Sequence, residues 1–108
     1  MIYVASPYSH PDVSVRQRRY EDVTKFTMEL IKTKVAAYSP IMYLHYAAQQ
    51  YQMPYDAVWW KEFNRRFIIN ADYIHVLMLD GWKESLGVKQ EILLANELGI
   101  NVSYSEMP

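Results

Sequence analysis

The sequence predicts an α/β fold, a short parallel sheet covered by helices on both faces. Three observations carry that prediction. Short apolar runs alternate along the chain with longer stretches of helical periodicity. The most apolar run, Tyr73-Ile-His-Val-Leu-Met-Leu79, is hydrophobic on both alternating sets, which suits a central parallel strand buried on two faces. The stretch from Ser85 to Gly99 opens on an N-cap residue and closes on a helix-ending glycine, so a helix follows that strand almost at once.

Taken in order, Ile2-Tyr-Val-Ala5 is a first strand, followed by a polar, proline-broken loop from Ser6 to Pro11. Asp12 caps a helix running to about Lys34, with Val23, Phe26, Leu30 and Ile31 on its apolar side. Val35 to Tyr38 reads as a second strand, stopped by Ser39-Pro40. Ile41 to Gln52 is ambiguous by pattern, with a short helix carrying His45 as one reading. Pro54, at the favoured first helical position, opens a helix through Trp59, Trp60, Phe63 and Phe67. Tyr73–Leu79 is the third strand, Asp80-Gly81-Trp82 turns the chain into the Ser85–Gly99 helix, and Ile100–Tyr104 is the last strand. The order β-α-β-α-β-α-β assembles as a single-domain, Rossmann-like, three-layer fold with a sheet of about four strands. Ligands of such sheets sit beyond the carboxyl ends of the strands, near the reversal of strand order. The loops expected there are 6–11, 39–46 and 80–87.

Bulk composition bounds the function. A chain of 108 residues makes one domain. A net charge of −1 with 51% hydrophobic residues fits a soluble globule and offers no basic excess for a nucleic-acid polymer. Absence of cysteine removes disulfides and thiolate zinc sites. No apolar run reaches the roughly 18 residues of a membrane span, and no signal-like stretch precedes the first strand. A cytoplasmic location, away from membranes, is the expectation. Ten tyrosines and three tryptophans fit either core and interface packing or a pocket that stacks on a flat ring. They also favour a homodimer or higher homo-oligomer for so small a sheet.

Glu91 is the most informative residue. Positions three and four apart share a helix face, which aligns it with Gly87, Val88, Leu94, Ala95 and Leu98, while the polar face holds Lys89, Gln90, Asn96 and Glu97. A carboxylate on an apolar stripe is either a marginal residue helped by the helix dipole or a partly desolvated catalytic group. The helix start at Ser85 and Gly87 is receptive to an anion, offering a hydroxyl donor and a residue without Cβ; plain capping by Ser85 is the competing account. Neither a Walker nor a dinucleotide fingerprint is present. Arg16, Arg18 and Arg19 crowd a helix start, where cations oppose the dipole, and are either solvated or reach a phosphate or carboxylate. His75, inside a strand pattern, reads as a satisfied core histidine. His45 is the better functional candidate, but without a second ligand at a recognisable spacing no metal site is expected.

The opening Ile2-Tyr-Val-Ala-Ser-Pro-Tyr8, the Trp-rich helix, the strand entered from Asp72, and Ser85-Leu-Gly87…Glu91…Ala95…Gly99 together resemble the nucleoside 2-deoxyribosyltransferase-like superfamily. Most of the chain takes part. Closest in character are a small bacterial and phage branch and the nucleoside 5′-monophosphate N-glycosidases. The resemblance implies that Glu91 is a nucleophile at the anomeric carbon and that Tyr3 holds it. It implies that Ser85, six residues before Glu91, stands where the transferases keep an aspartate for the sugar 5′-hydroxyl and the monophosphate hydrolases a serine for the 5′-phosphate. An aspartate there would repel a phosphate that a serine at a helix start would bind. Ser6, Tyr8, His45, Trp60 and Gly87 fall in the implied substrate site. One departure stands out: eight residues before Asp72 the family usually keeps an aspartate that helps the base leave, and this chain has Asn64.

The expected activity is therefore hydrolysis of the N-glycosidic bond of a (deoxy)nucleoside 5′-monophosphate, with no metal or organic cofactor. Two alternatives remain, a nucleotide-metabolite binding module, motivated by Asn64, and a nucleoside 2-deoxyribosyltransferase, disfavoured by Ser85.

Overall fold

The computed structural model describes residues 1–53 and 56–108. Its elements are β1 (Ile2–Ala5), α1 (Val13–Lys32), β2 (Ala37–Tyr38), α2 (Pro40–Gln50), α3 (Ala57–Ile69), β3 (Tyr73–Leu77), α4 (Leu86–Leu98) and β4 (Asn101–Ser105). The four strands form one all-parallel sheet in the order β2-β1-β3-β4. The chain moves outward from β1 to β2, then crosses back to lay β3 on the other side of β1. The reversal thus lies between β1 and β3, and crevices in such sheets open at the carboxyl ends of the strands flanking it.

Strand alternation assigns the layers. Tyr3 and Ala5 of β1 join Ile74 and Val76 of β3 in a cluster with Ile68 of α3 and Val88, Leu94 and Ala95 of α4. Ile2, Val4 and Leu77 point the other way, into a cluster with Val23, Phe26 and Leu30 of α1 and Ile41 of α2. Period-two side chains on the strands thus feed two helix layers, as the sequence pattern requires. The three-layer Rossmann-like α/β architecture is the one expected.

Local boundaries differ from expectation where capping and pairing decide them. α1 stops at Lys32 because Thr33 and Lys34 return their N–H groups to Leu30 and Ile31, with Lys34 at a φ of +66°. Only Ala37 and Tyr38 pair in β2; Val35 is tied instead to the carbonyl of Leu30. The ambiguous segment is a helix: Ser39 accepts from the Met42 N–H at 3.1 Å and Pro40 occupies the first turn. Pro54, the expected start of the next helix, lies outside the described residues; within them α3 begins at Ala57, where Asp56 caps the Trp59 N–H at 2.9 Å. β3 ends at Leu77 rather than Leu79, since the Leu79 N–H turns back to the Leu77 carbonyl. Among the described residues no helix is long and apolar enough to cross a membrane.

Candidate active site

Odd-numbered residues of β1 face α3 and α4, which directs the Tyr3 ring at the α4 stripe formed by Val88, Glu91 and Ala95. There the Tyr3 hydroxyl donates to Glu91 Oε2. Tyr3 is 0% exposed and Glu91 only 9%, so a carboxyl and a phenol meet almost out of water. Burial pushes the Glu91 carboxyl from its ordinary 4.5 up to about 8, against the pull of the Tyr3 hydrogen bond toward the ionised form. Tyr3 itself is raised well above its ordinary value, by burial first and by Glu91 second. Tyr38 stacks on Phe67 at 4.3 Å and lies 5.8 Å from the Tyr3 ring, and burial raises its hydroxyl as well.

Glu91 opens onto a cavity of about 360 Å³, a size suited to a small molecule. Ser6 and Tyr8 line it from the end of β1, Ile41 and His45 from α2, Trp60, Asn64 and Ile68 from α3, and Ser85, Gly87 and Leu94 from α4. Eight of the nine residues singled out in the sequence therefore share one wall system, with Tyr3 directly behind Glu91.

The start of α4 is capped and still presents hydrogen-bond donors to the cavity. The Ser85 hydroxyl accepts from the Val88 N–H at 3.2 Å and the Ser85 carbonyl accepts from Lys89, so it is a genuine cap. A capping hydroxyl still has its own proton to donate, and the N–H groups of Leu86 and Gly87 have no acceptor within the helix. A Cβ at Gly87 would meet only Ser85 Oγ, at 3.8 Å. The absent side chain keeps cavity space open rather than relieving a clash.

His45 is 1% exposed and organises a wall. Gln17 sends its Nε2–H to the Tyr46 hydroxyl and presents Oε1 to His45 Nε2 at 2.9 Å. Gln49 Nε2 also lies 3.5 Å from His45 Nε2; the shorter Gln17 contact favours the imidazole proton on Nε2, with Nδ1 accepting the Tyr8 hydroxyl, 2.7 Å away. Burial and then the Arg16 guanidinium push His45 below its ordinary value, so the neutral ring is favoured. The Tyr20 ring stacks on it at 4.3 Å.

Three buried polar atoms of lining residues have no hydrogen-bond partner: Ser6 Oγ, Trp60 Nε1 and Asn64 Oδ1. Leaving such a group unpaired costs about 1–3 kcal/mol. Their concentration around one cavity is what a polar ligand would complete. Trp60, Asn64 and Ile68 recur every four residues on α3, whereas Trp59, Phe63 and Phe67 form a second, aromatic stripe, the first pair stacked and the second tilted.

The rim residues Asp56, Lys61, Glu84 and Gln90 carried no sequence signal, because charged and amide side chains near helix starts are ordinary. Their spacing from Trp60, Asn64 and Glu91 is the only cue available. The arginine cluster divides: Arg18 is solvated as one expectation had it, while Arg16 and Arg19 find main-chain carbonyls rather than a phosphate or carboxylate. Arg19 donates to the main-chain carbonyls of Tyr8, Ser9 and Asp80 at 3.4, 3.1 and 3.1 Å, clasping the β1 and β3 loops together. Arg16 donates to the His10 carbonyl, and Arg18 is exposed. Gly81 sits under the clasp at a φ of +86°, where a Cβ would approach Arg19 Nη2 to 2.6 Å. His75 lies away from the cavity, with its ring nitrogens each 2.7 Å from the hydroxyls of Ser103 and Ser105 and its face stacked on Phe26. No group of three or more His, Asp or Glu side chains able to hold a metal occurs among the described residues.

Comparison with known proteins adds a family but no chemistry. The family described as Domain of unknown function (DUF1937) matches residues 1–107. No curated protein matches the chain.

Proposed function

The chain belongs to the DUF1937 family, and from the geometry of its own cavity we propose that it hydrolyses the N-glycosidic bond of a nucleoside or 2′-deoxynucleoside 5′-monophosphate. The observation that carries this reading is the buried Tyr3–Glu91 pair opening onto a cavity that also receives a helix N-terminus. Two carbohydrate requirements are met within one small volume: an oriented carboxyl for the anomeric carbon and neutral donors for a phosphate. The likeness of the sequence to the nucleoside 2-deoxyribosyltransferase-like superfamily supports the same assignment.

In the mechanism, the Glu91 carboxylate attacks C1′ as the base departs, passing through an oxocarbenium-like transition state to a glycosyl ester. Water then attacks C1′, the ester bond breaks, and Glu91 regains its carboxylate. Tyr3 holds Glu91 in one rotamer by donating to Oε2, and Ser85 with the Leu86 and Gly87 N–H groups grips the 5′-phosphate. Ser6, Trp60 and Asn64 supply hydrogen-bonding groups for the sugar and base, while His45 fixes the Tyr8 side of the wall. We assign no metal or organic cofactor, a cytoplasmic setting, and self-association through the exposed Val58, Leu86 and Leu93.

A second reading, a nucleotide-metabolite binder without turnover, is favoured by one observation: Asn64, where an acid would help a base leave, is an amide. Incubation with each common ribo- and deoxyribonucleoside 5′-monophosphate, with chromatography for free base, decides between them. Base release by the wild type and not by Glu91→Gln is the expected result. Release at equal rates by both would remove Glu91 as the nucleophile, and binding without release by either would establish the binder.

A further inference from the structure

Taking the cavity as an N-glycosidase site, as proposed above, we propose that its preferred leaving base carries a formal positive charge before the bond breaks. The substrate class is then an N-ribosyl pyridinium or an N7-alkylated purine nucleoside, in each case as the 5′-monophosphate.

The first ground is an inventory of protons. When C1′–N breaks, the bonding electron pair settles on the base, and a neutral base leaves as an anion unless an acid protonates it. Asn64, Trp60, Ser6 and Ser85 can donate hydrogen bonds to a base or sugar but do not surrender a proton near neutral pH. His45 is committed at both nitrogens, to Gln17 and to Tyr8, and the Tyr8 hydroxyl points its proton at His45 Nδ1. Glu91 is engaged with the sugar. Asp56, Lys61 and Glu84 are exposed at the rim rather than buried beside Glu91. A base that is already cationic needs none of them, because it departs as a neutral molecule.

The second ground is charge and ring chemistry. Among the described residues the cavity is lined by the carboxyl groups of Asp56, Glu84 and Glu91 against the single cation of Lys61. Such a lining attracts a positive ring and has little to offer a negative one. Trp60 presents the aromatic surface best suited to a cation. One turn along the same face of α3, the unpaired Trp60 N–H and Asn64 Oδ1 match an edge that offers an acceptor beside a donor. The carboxamide of a pyridinium and the oxo–imino edge of an alkylated guanine both have that pattern. A positive ring near Glu91 also favours its carboxylate, the form that attacks and that burial otherwise opposes.

The step balances without an acid. A Glu91 carboxylate oxygen bonds to C1′ as C1′–N breaks, and the electron pair neutralises the ring nitrogen. Water then bonds to C1′ as the ester C–O bond breaks; the pair returns to Glu91 and the water's proton passes to solvent.

The test is a matched pair, 7-methylguanosine and guanosine 5′-monophosphates, with nicotinamide mononucleotide and the common neutral monophosphates beside them. Base release is measured by chromatography, and each rate is divided by that of Glu91→Gln to remove the solution lability of the charged compounds. On that scale the cationic member of the pair should be favoured by about 100-fold or more, the contribution a general acid makes. Asn64→Asp should narrow the gap by raising the guanosine 5′-monophosphate rate. Cleavage of neutral monophosphates as fast as charged ones would overturn this substrate class and leave the glycosidase standing. Cleavage of no member of the panel would overturn both.

Discussion

Replacing Glu91 by Gln should stabilise the protein, and the gain should grow with pH. The carboxyl keeps its proton in the folded state up to about pH 8, whereas in the unfolded chain it releases it near its ordinary 4.5. Between those values the native state holds more protons than the unfolded one, so stability falls as pH rises. At about 1.4 kcal/mol per pH unit, the penalty is about 3 kcal/mol at pH 7 and approaches about 5 kcal/mol at pH 8 and above. Glutamine has nearly the same shape, and its carbonyl can still accept from the Tyr3 hydroxyl, but it carries no charge to desolvate. Thermal unfolding of the two proteins at half-unit steps from pH 4.5 to 9 measures the difference. The curves should converge at the acid end and diverge to a Tm difference on the order of 10 °C at pH 7. Parallel curves across the range would show that Glu91 does not titrate there, and the desolvated-carboxyl account of the site would fail.

Other consequences are as direct. If Glu91 must be ionised to attack, kcat/KM should rise with pH to a midpoint near 8, and Tyr3→Phe should move that midpoint upward by removing the bond that favours the carboxylate; a pH–rate profile of each variant checks this. Gly87→Ala should leave stability unchanged or raise it by up to about 1 kcal/mol, since alanine is the better helix former and its Cβ meets nothing closer than 3.8 Å. The same substitution should weaken binding of a 5′-monophosphate, read by calorimetry, more than binding of the matching nucleoside. Gly81→Ala should destabilise by about 1–2 kcal/mol from backbone strain at positive φ, and displacement of Arg19 should show as altered amide shifts at Ser6 and Tyr8 by NMR.

Much of this was legible in the sequence because the relevant signals are local. Glu91 declares itself by lying on an apolar stripe at helical spacing, and Ser85 and Gly99 bracket that helix by their cap chemistry. The alternating runs of β1 and β3 specify a sheet covered on both sides. The features left open or misjudged depend on partners that periodicity does not reveal. Arg19 finds its acceptors on loops reached only after the sheet is assembled, so its neighbours Arg16 and Arg18 gave no clue to its role. Ile41–Gln50 is apolar enough for strand or helix, and the Ser39 cap decides the matter. β3 stops two residues early because Met78 N–H goes to the Ser105 carbonyl, the last hydrogen bond between these segments before Leu79 folds back. The pairing of His45 with Tyr8 and Gln17 likewise spans three elements, which no periodicity records.

The guanidinium of Arg19 also bears on how a ligand arrives. It ties the carbonyls of Tyr8 and Ser9 to that of Asp80, 61 residues beyond Arg19 itself, and does so in a protein with no cysteine, by a cross-link that reduction cannot open. The floor of the cavity, which carries Ser6 and Tyr8 on one loop and leads into Ser85 on the other, is thereby assembled before anything binds. Association then has no need to order these loops, so it should be fast and carry a small entropic cost from the backbone. Selection among ligands falls to the rim and to α3, the parts of the wall that Arg19 does not hold.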